Sequence, residues 1–294
     1  VISLGQLASA WDSFFFDPVP PHSLALFRIS FAVVLLVDAV FLVADAREYL
    51  GPEGLIDHSR YVNRNRGRAL SLFLYLPGTT RSLYLILAIH VVAVLLLGVG
   101  LFTRLSAATT FVTLRSIINR NPKICNGGDN VARIMCFLLI LSPAGNVYSL
   151  DAAIFKDSWA GTPAVLNAPW ALRLMQIQIS VIYLRATYWK LRGATYRDGT
   201  AIYYATISEY YRRLSLPGVF LRKPLVQALT WGTLMLEFSL GTLIWVTEFR
   251  TPLMFAGMLF HASIELVLNL HLFGWYMIVC LLLFADPYQV MRLI

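Results

Sequence analysis

Eight apolar runs, separated by polar, aromatic and basic connections, set the pattern of this chain. They cover residues 23–45, 81–102, 104–119, 131–148, 170–190, 225–247, 251–268 and 270–285. A hydrocarbon core about 30 Å thick takes about 20 helical residues to cross, and the runs approach that length. None shows the period-two alternation of a membrane barrel. The pattern therefore predicts an all-α chain, a polytopic transmembrane helical bundle of about eight spans. The run 104–119 is the weakest, being short and ending in charges. Gly100-Leu101-Phe102-Thr103-Arg104 leaves room only for a tight turn between two spans.

The ends of the longer connections, Arg47 to Thr80, Arg120 to Asn130 and Leu191 to Pro224, are crowded with aromatic and basic residues, as membrane interfaces are. No repeat, low-complexity tract or linker divides the chain, so residues 1–294 read as one domain. Residues 1–22 differ from the rest. Val1 to Phe16 has no Lys or Arg, and Gln6, Asp12 and Asp17 interrupt its apolar stretch, unlike a secretory signal. Trp11, Phe14, Phe15 and Phe16 suit an interfacial helix lying along the bilayer surface.

Composition agrees with the membrane reading. At 58% hydrophobic and 14% charged residues, the chain falls short of the roughly one-quarter charged that a soluble domain carries. The formal charge of +8 sits in the connections, where lipid head groups and topology account for it without nucleic acid. Cys125, Cys136 and Cys280 form no C-x-x-C pair and read as packing residues. Phosphate-binding, dinucleotide-binding, zinc-protease and serine-hydrolase motifs are all missing, so neither a nucleotide nor a metal is expected.

Ionisable groups inside apolar runs each need a partner or a purpose, since insertion costs about 2.5–3.5 kcal/mol at a helix centre. Arg28, Asp38, His90, Arg133, Lys190, Glu237, His261 and Glu265 are such groups. Gln176, Ser180, Tyr183, Thr187 and Lys190 follow one another at spacings of three and four, one polar stripe on a helix that must face a cavity or another helix. A desolvated Lys190 can serve as a general base; alternatively it snorkels to the head groups beside Arg192. His261, Glu265 and Asn269 share another face. Two ligands are too few for a metal, and a buried hydrogen-bond pair orienting the imidazole is the expectation there. Glu237 needs a cation or a proton, with Lys190, Arg28 and Arg133 as possible partners. Asn126-Gly127-Gly128-Asp129 reads as a turn and helix cap, or as a rigid polar loop over a site.

At these residues the chain resembles the HTTM family, which includes the membrane part of the vitamin K-dependent gamma-glutamyl carboxylase. The resemblance is carried by Leu26-Phe27-Arg28-Ile29, Tyr49 to Leu55, Gly100 to Leu105, Arg120-Asn121-Pro122, Asn126 to Asp129, Tyr148-Ser149-Leu150-Asp151, Tyr183 to Leu191, Asp198-Gly199, Glu237 and Asn269 to Phe273. It implies that Lys190 is the base that deprotonates a hydroquinone, with Tyr183 and Thr187 lining its pocket. In that family the oxygenated quinol takes a proton from a peptide glutamate, and carbon dioxide adds. Asn146 stands where the animal enzyme has histidine, and the enzyme's large extramembrane domain has no counterpart in these residues.

Two functions follow from the resemblance. One is a quinol-linked, carboxylase-like membrane enzyme acting on a peptide or protein partner, with Lys190 catalytic and Gln176, Ser180, Tyr183, Thr187, Glu237, His261 and Glu265 around its pocket. The other is a non-catalytic subunit that binds lipid or quinone and scaffolds a larger membrane complex. A transporter is a third possibility, but no inverted repeat supports it. The expected location is a bacterial inner membrane, with membrane lipids as partners. Orientation stays open: the basic connections place the loop-rich face in the cytoplasm, whereas the resemblance places the active face outside.

Overall fold

A computed structural model describes residues 3–155 and 169–293. Regular structure among them is helical, and the β contact present is an isolated antiparallel bridge between Arg212 and Leu268. All eight apolar runs fall on helices. Two of those helices, His22–Ala44 and Thr80–Val99, are long and apolar enough to cross a membrane. Contacts divide the chain into two compact units, one up to Leu172 and one from Arg173 to Leu293.

The first unit opens with α1 (Leu4–Phe16), started by a capping box in which Ser3 and Gln6 bond each other's backbone N–H. No residue of α1 is buried, and Leu4, Leu7, Trp11 and Phe16 point outward. Then come α2 (His22–Ala44), α3 (Thr80–Val99), α4 (Thr103–Arg120) and α5 (Gly127–Leu141), with α3 packed on α2, α4 on α3 and α5 on α4. The weak run 104–119 is explained by what α4 buries. Its inward face carries Ser106, Thr110, Thr113 and Ser116, small hydroxyl residues that let helices approach closely. Thr113 bonds the His90 Nδ1 of α3 at 2.8 Å, and Ser116 accepts the Leu72 N–H at 2.9 Å. These polar atoms meet other chain atoms, which low hydropathy alone does not reveal.

The turn between α3 and α4 is as tight as its length requires. Gly100 adopts φ +70°, and a Cβ there would come within 2.8 Å of Arg28 Nη1. Arg120 and Asn121, at the far end of α4, reach back to the Gly51 and Tyr49 carbonyls at 2.6 and 3.0 Å. The Arg120 guanidinium lies 5.2 Å from the centre of the Tyr61 ring, which ties the connection after α2 to the bundle. The run expected over 131–148 stops earlier: α5 ends at Leu141 because Ser142 turns extended and Pro143 offers no N–H.

The second unit contains most of α6 (Trp170–Arg192), then α7 (Lys223–Gly241), α8 (Thr247–Val267) and α9 (Phe273–Leu281), with short helices between. Helix α8 packs on both α7 and α9. A strained turn joins α8 to α9, with His271 and Leu272 at φ +41° and +59°. Gly274 just beyond it has no room for a side chain, since a Cβ would stand 2.6 Å from the His261 carbonyl oxygen. Helix α9 rises only about 14 Å, about half of an apolar bilayer core.

Candidate functional site

The polar stripe of α6 faces inward, as its spacing requires. Gln176, Ser180, Tyr183 and Thr187 are buried, while Lys190 keeps a quarter of its side chain exposed. Ile177 and Leu184 turn to other faces, but Ile179 is fully buried as well, so α6 is covered on more than its polar side.

The stripe divides in two. Its first turns are staples: Gln176 donates to the Leu283 carbonyl at 2.7 Å, and Ser180 accepts the Trp245 indole N–H at 2.9 Å. Its last turns meet side chains that exchange protons. The Tyr183 hydroxyl lies 2.8 Å from His261 Nε2 on α8. Lys190 forms an ion pair with Glu237 on α7, which settles the open question of that carboxylate's partner. Thr187 sits between them, about 6 Å along the helix from Tyr183 and about 4.5 Å from Lys190. Its hydroxyl has no hydrogen-bond partner among the described residues, and neither do Glu237 Oε2 or His261 Nδ1. All three belong to buried residues.

Sequence reasoning missed two neighbours. Tyr196, from the short helix after α6, places its ring 5.6 Å from Lys190 Nζ. Burial, and after it the Glu237 carboxylate, push the Tyr196 phenol above its ordinary value, so it stays protonated. Arg213 is the other. It lies in an exposed connection, where nothing in its sequence neighbourhood marks it.

Arg213 corrects the expectation for the second polar face. His261 and Glu265 are both buried one turn apart, yet the bond that orients the imidazole comes from Tyr183 and not from Glu265. The Glu265 oxygens are engaged elsewhere, one by Arg213 Nη2 at 3.1 Å and the other by the Gly274 N–H at 3.1 Å. Asn269 Oδ1 also receives Arg213, at 3.4 Å. Together with backbone bonds from Arg213 to Val267 and from Asn269 to Tyr211, these contacts clasp the 208–214 segment to the end of α8. Glu265 is thus a fastener of the turn and the clasp, because an α-helix aims residues four apart the same way without making them touch.

Asn126, Gly127, Gly128 and Asp129 belong to the first unit. There they build a capping box at the start of α5, with Asp129 Oδ2 accepting the Asn126 N–H at 2.6 Å.

The chemistry available in the second unit is proton exchange. A carboxylate, an amine, a phenol and an imidazole stand in two bonded pairs with Thr187 between. If Tyr183 donates to Nε2, the His261 Nδ1 carries a proton it can give; in the other tautomer Nδ1 accepts one. No group of three His, Cys, Asp or Glu able to hold a metal occurs among the described residues.

The HTTM domain profile matches residues 16–288. The sporulation-delaying protein SdpB of Bacillus subtilis (strain 168) is 25% identical over 175 residues, which cover 56% of this chain and 52% of SdpB. The uncharacterized protein YitO of the same organism is 25% identical over 171 residues, 56% of this chain and 55% of YitO. The chain spans about half the length of these two relatives. No solved structure matches.

Proposed function

From the premise that this chain belongs to the HTTM domain family, which is membrane-associated, we propose a multi-pass bacterial inner-membrane protein that carries out quinol-linked chemistry on a peptide or protein partner. The observation that supports this reading is the set of buried polar atoms without partners, Glu237 Oε2, Thr187 Oγ1 and His261 Nδ1, beside two proton-exchanging pairs. Leaving a buried polar group unpaired costs about 1–3 kcal/mol, a cost that a ligand with its own donors and acceptors removes.

A hydroquinone has that chemistry: two hydroxyls that donate and accept, on an apolar ring. Thr187, Glu237 and His261 would hold it, and when bound it supplies two electrons and two protons. The chain's own part is to hold and move a proton. The Lys190–Glu237 pair exists with the proton on the amine as an ion pair, or on the carboxylate as a neutral pair. Only the neutral amine has a lone pair to accept a proton. Tyr183 keeps the His261 ring in place, and Tyr196 limits water at the exposed flank of Lys190.

The ion pair itself favours a second reading, a non-catalytic HTTM subunit that binds lipid or quinone within a larger membrane complex. A lysine committed to a carboxylate fastens α6 to α7 whether or not it ever gives up its proton. Two substitutions separate the readings, with quinol-dependent carbon dioxide incorporation and complex assembly measured for each. An enzyme loses turnover in both Lys190→Ala and Lys190→Arg, because a guanidinium stays protonated and cannot accept a proton. A scaffold tolerates Lys190→Arg, which keeps the ion pair, and shows Lys190→Ala as lost assembly. Active Lys190→Arg protein would rule out the lysine base.

A further inference from the structure

The first unit holds a cleft of about 360 Å³ lined by none of the residues of the two proton-exchanging pairs. It opens where α3 turns into α4. Phe102, Leu105, Pro143 and Phe155 supply apolar walls, while Arg104 and Asn146 bring polar groups to it. The floor is rigid. Asp151 caps α4, with one carboxylate oxygen 2.7 Å from the Phe102 N–H and the other bonded to the Thr103 N–H and hydroxyl at 2.8 and 2.7 Å. Gly145 packs so closely that a Cβ would stand 2.6 Å from Thr103 Oγ1. Phe102 takes a left-handed backbone, φ +46°, which leaves its ring exposed and 6.0 Å from the Phe155 ring.

Arg104 distinguishes this cleft from an ordinary packing gap. Its side chain is exposed, and the ion pairs among the described residues, Lys190–Glu237 and Arg213–Glu265, do not include it. Among the described residues the acidic wall residue is Asp151, and both its oxygens are occupied, by the Phe102 and Thr103 N–H groups and the Thr103 hydroxyl. The cleft therefore offers an apolar slot with an uncommitted cation at its mouth. It also lies at the end of α3, one of the two helices among the described residues long and apolar enough to cross a membrane, and with α3 spanning a bilayer that end falls at head-group depth. Its volume is at the low end of small-molecule pockets, about 300–1,000 Å³, enough for part of one acyl chain.

We propose that this cleft binds one anionic phospholipid, its phosphate on Arg104 and Asn146 and an acyl chain between Phe102, Leu105, Pro143 and Phe155. The assignment rests on the membrane reading of the chain and is independent of Lys190. The test uses the full chain in mild detergent, titrated with phosphatidylglycerol or phosphatidylcholine and followed by native mass spectrometry. One phosphatidylglycerol is expected to be retained in preference to phosphatidylcholine. Arg104→Gln should lower that preference about fivefold, the effect of one basic residue on anionic lipid. Leu105→Trp, which fills the slot, should lower retention of both lipids, and unfolding midpoints near the unsubstituted protein's show that both variants fold. Equal retention of the two lipids, an unchanged preference in Arg104→Gln, or full retention in Leu105→Trp would overturn the site. Alkaline carbonate extraction tests the membrane reading separately. Release of the chain overturns that reading and the site with it, whereas a chain that stays in the membrane without selective lipid overturns the site alone.

Discussion

The two units differ in how they bury most of their ionisable groups, although Glu265 of the second is held, like those of the first, by a guanidinium and a backbone N–H. In the first, Arg28 is fully buried and donates to the carbonyls of Ala144, at 2.6 Å, and Tyr148. Arg120 donates to the Gly51 carbonyl, and Asp151 accepts from backbone N–H groups. In the second, Lys190 meets Glu237 and Tyr183 meets His261, side chain to side chain. A guanidinium on a carbonyl has no proton to exchange at any working pH, so the first arrangement can only hold. Every member of the second can gain or lose one. Buried polar atoms without a partner among the described residues occur in both units, Arg28 Nε and Thr110 Oγ1 in the first as well as Thr187 Oγ1, Glu237 Oε2 and His261 Nδ1 in the second. It is the proton-exchanging pairs that set the second apart. Only the second arrangement can pass a proton between its partners.

The strongest way to break this contrast is Arg28→Ala. The buried Ala144 carbonyl and the part-buried Tyr148 carbonyl lose their donor, and a loss of about 3–5 kcal/mol is expected, read by unfolding in detergent micelles. A stable Arg28→Ala protein with altered activity would make the first unit's cluster a site too. Glu237→Ala comes next, at about 2 kcal/mol, because Lys190 is partly exposed and can turn toward the head groups. Replacing both partners with apolar residues should recover most of that stability and none of the activity, which sharpens the comparison.

Smaller effects follow. Asp151→Ala removes the cap of α4 and should cost about 1–2 kcal/mol, without affecting any quinol-dependent turnover. Tyr183→Phe removes the hydrogen bond to His261 Nε2 and should cost about 1–1.5 kcal/mol, with a change in imidazole titration seen by NMR. Arg213→Gln is the mildest. Its ion pair with Glu265 is about 43% exposed on the arginine side, so less than about 1 kcal/mol is expected; faster hydrogen exchange at Asn269 would show the clasp loosening.

Much of the helical layout was legible in the chain. The eight apolar runs fall on helices, of which two among the described residues are long and apolar enough to cross a membrane, and the spacing of Gln176, Ser180, Tyr183, Thr187 and Lys190 predicted a stripe that turns inward. The ends were harder. Pro143 cut a helix that apolarity alone extended to residue 148, since hydropathy does not register a missing N–H. The partners were harder still. His261 and Glu265 look like a pair at four-residue spacing, but Tyr183 lies 78 residues from His261 and Arg213 lies 52 from Glu265. Nothing local marks either contact.

By itself, the sequence determined which segments are helical, which faces of them refuse lipid, and that Lys190, Glu237, His261 and Glu265 each required an answer to their burial. Those are properties of periodicity and of desolvation cost, and they act along a single helix. The tertiary structure alone decided the answers: Glu237 for Lys190, Tyr183 for His261, and Arg213 with the Gly274 N–H for Glu265. Pairing is a matter of how helices pack against one another, and one helix's pattern carries no record of which neighbour will meet it.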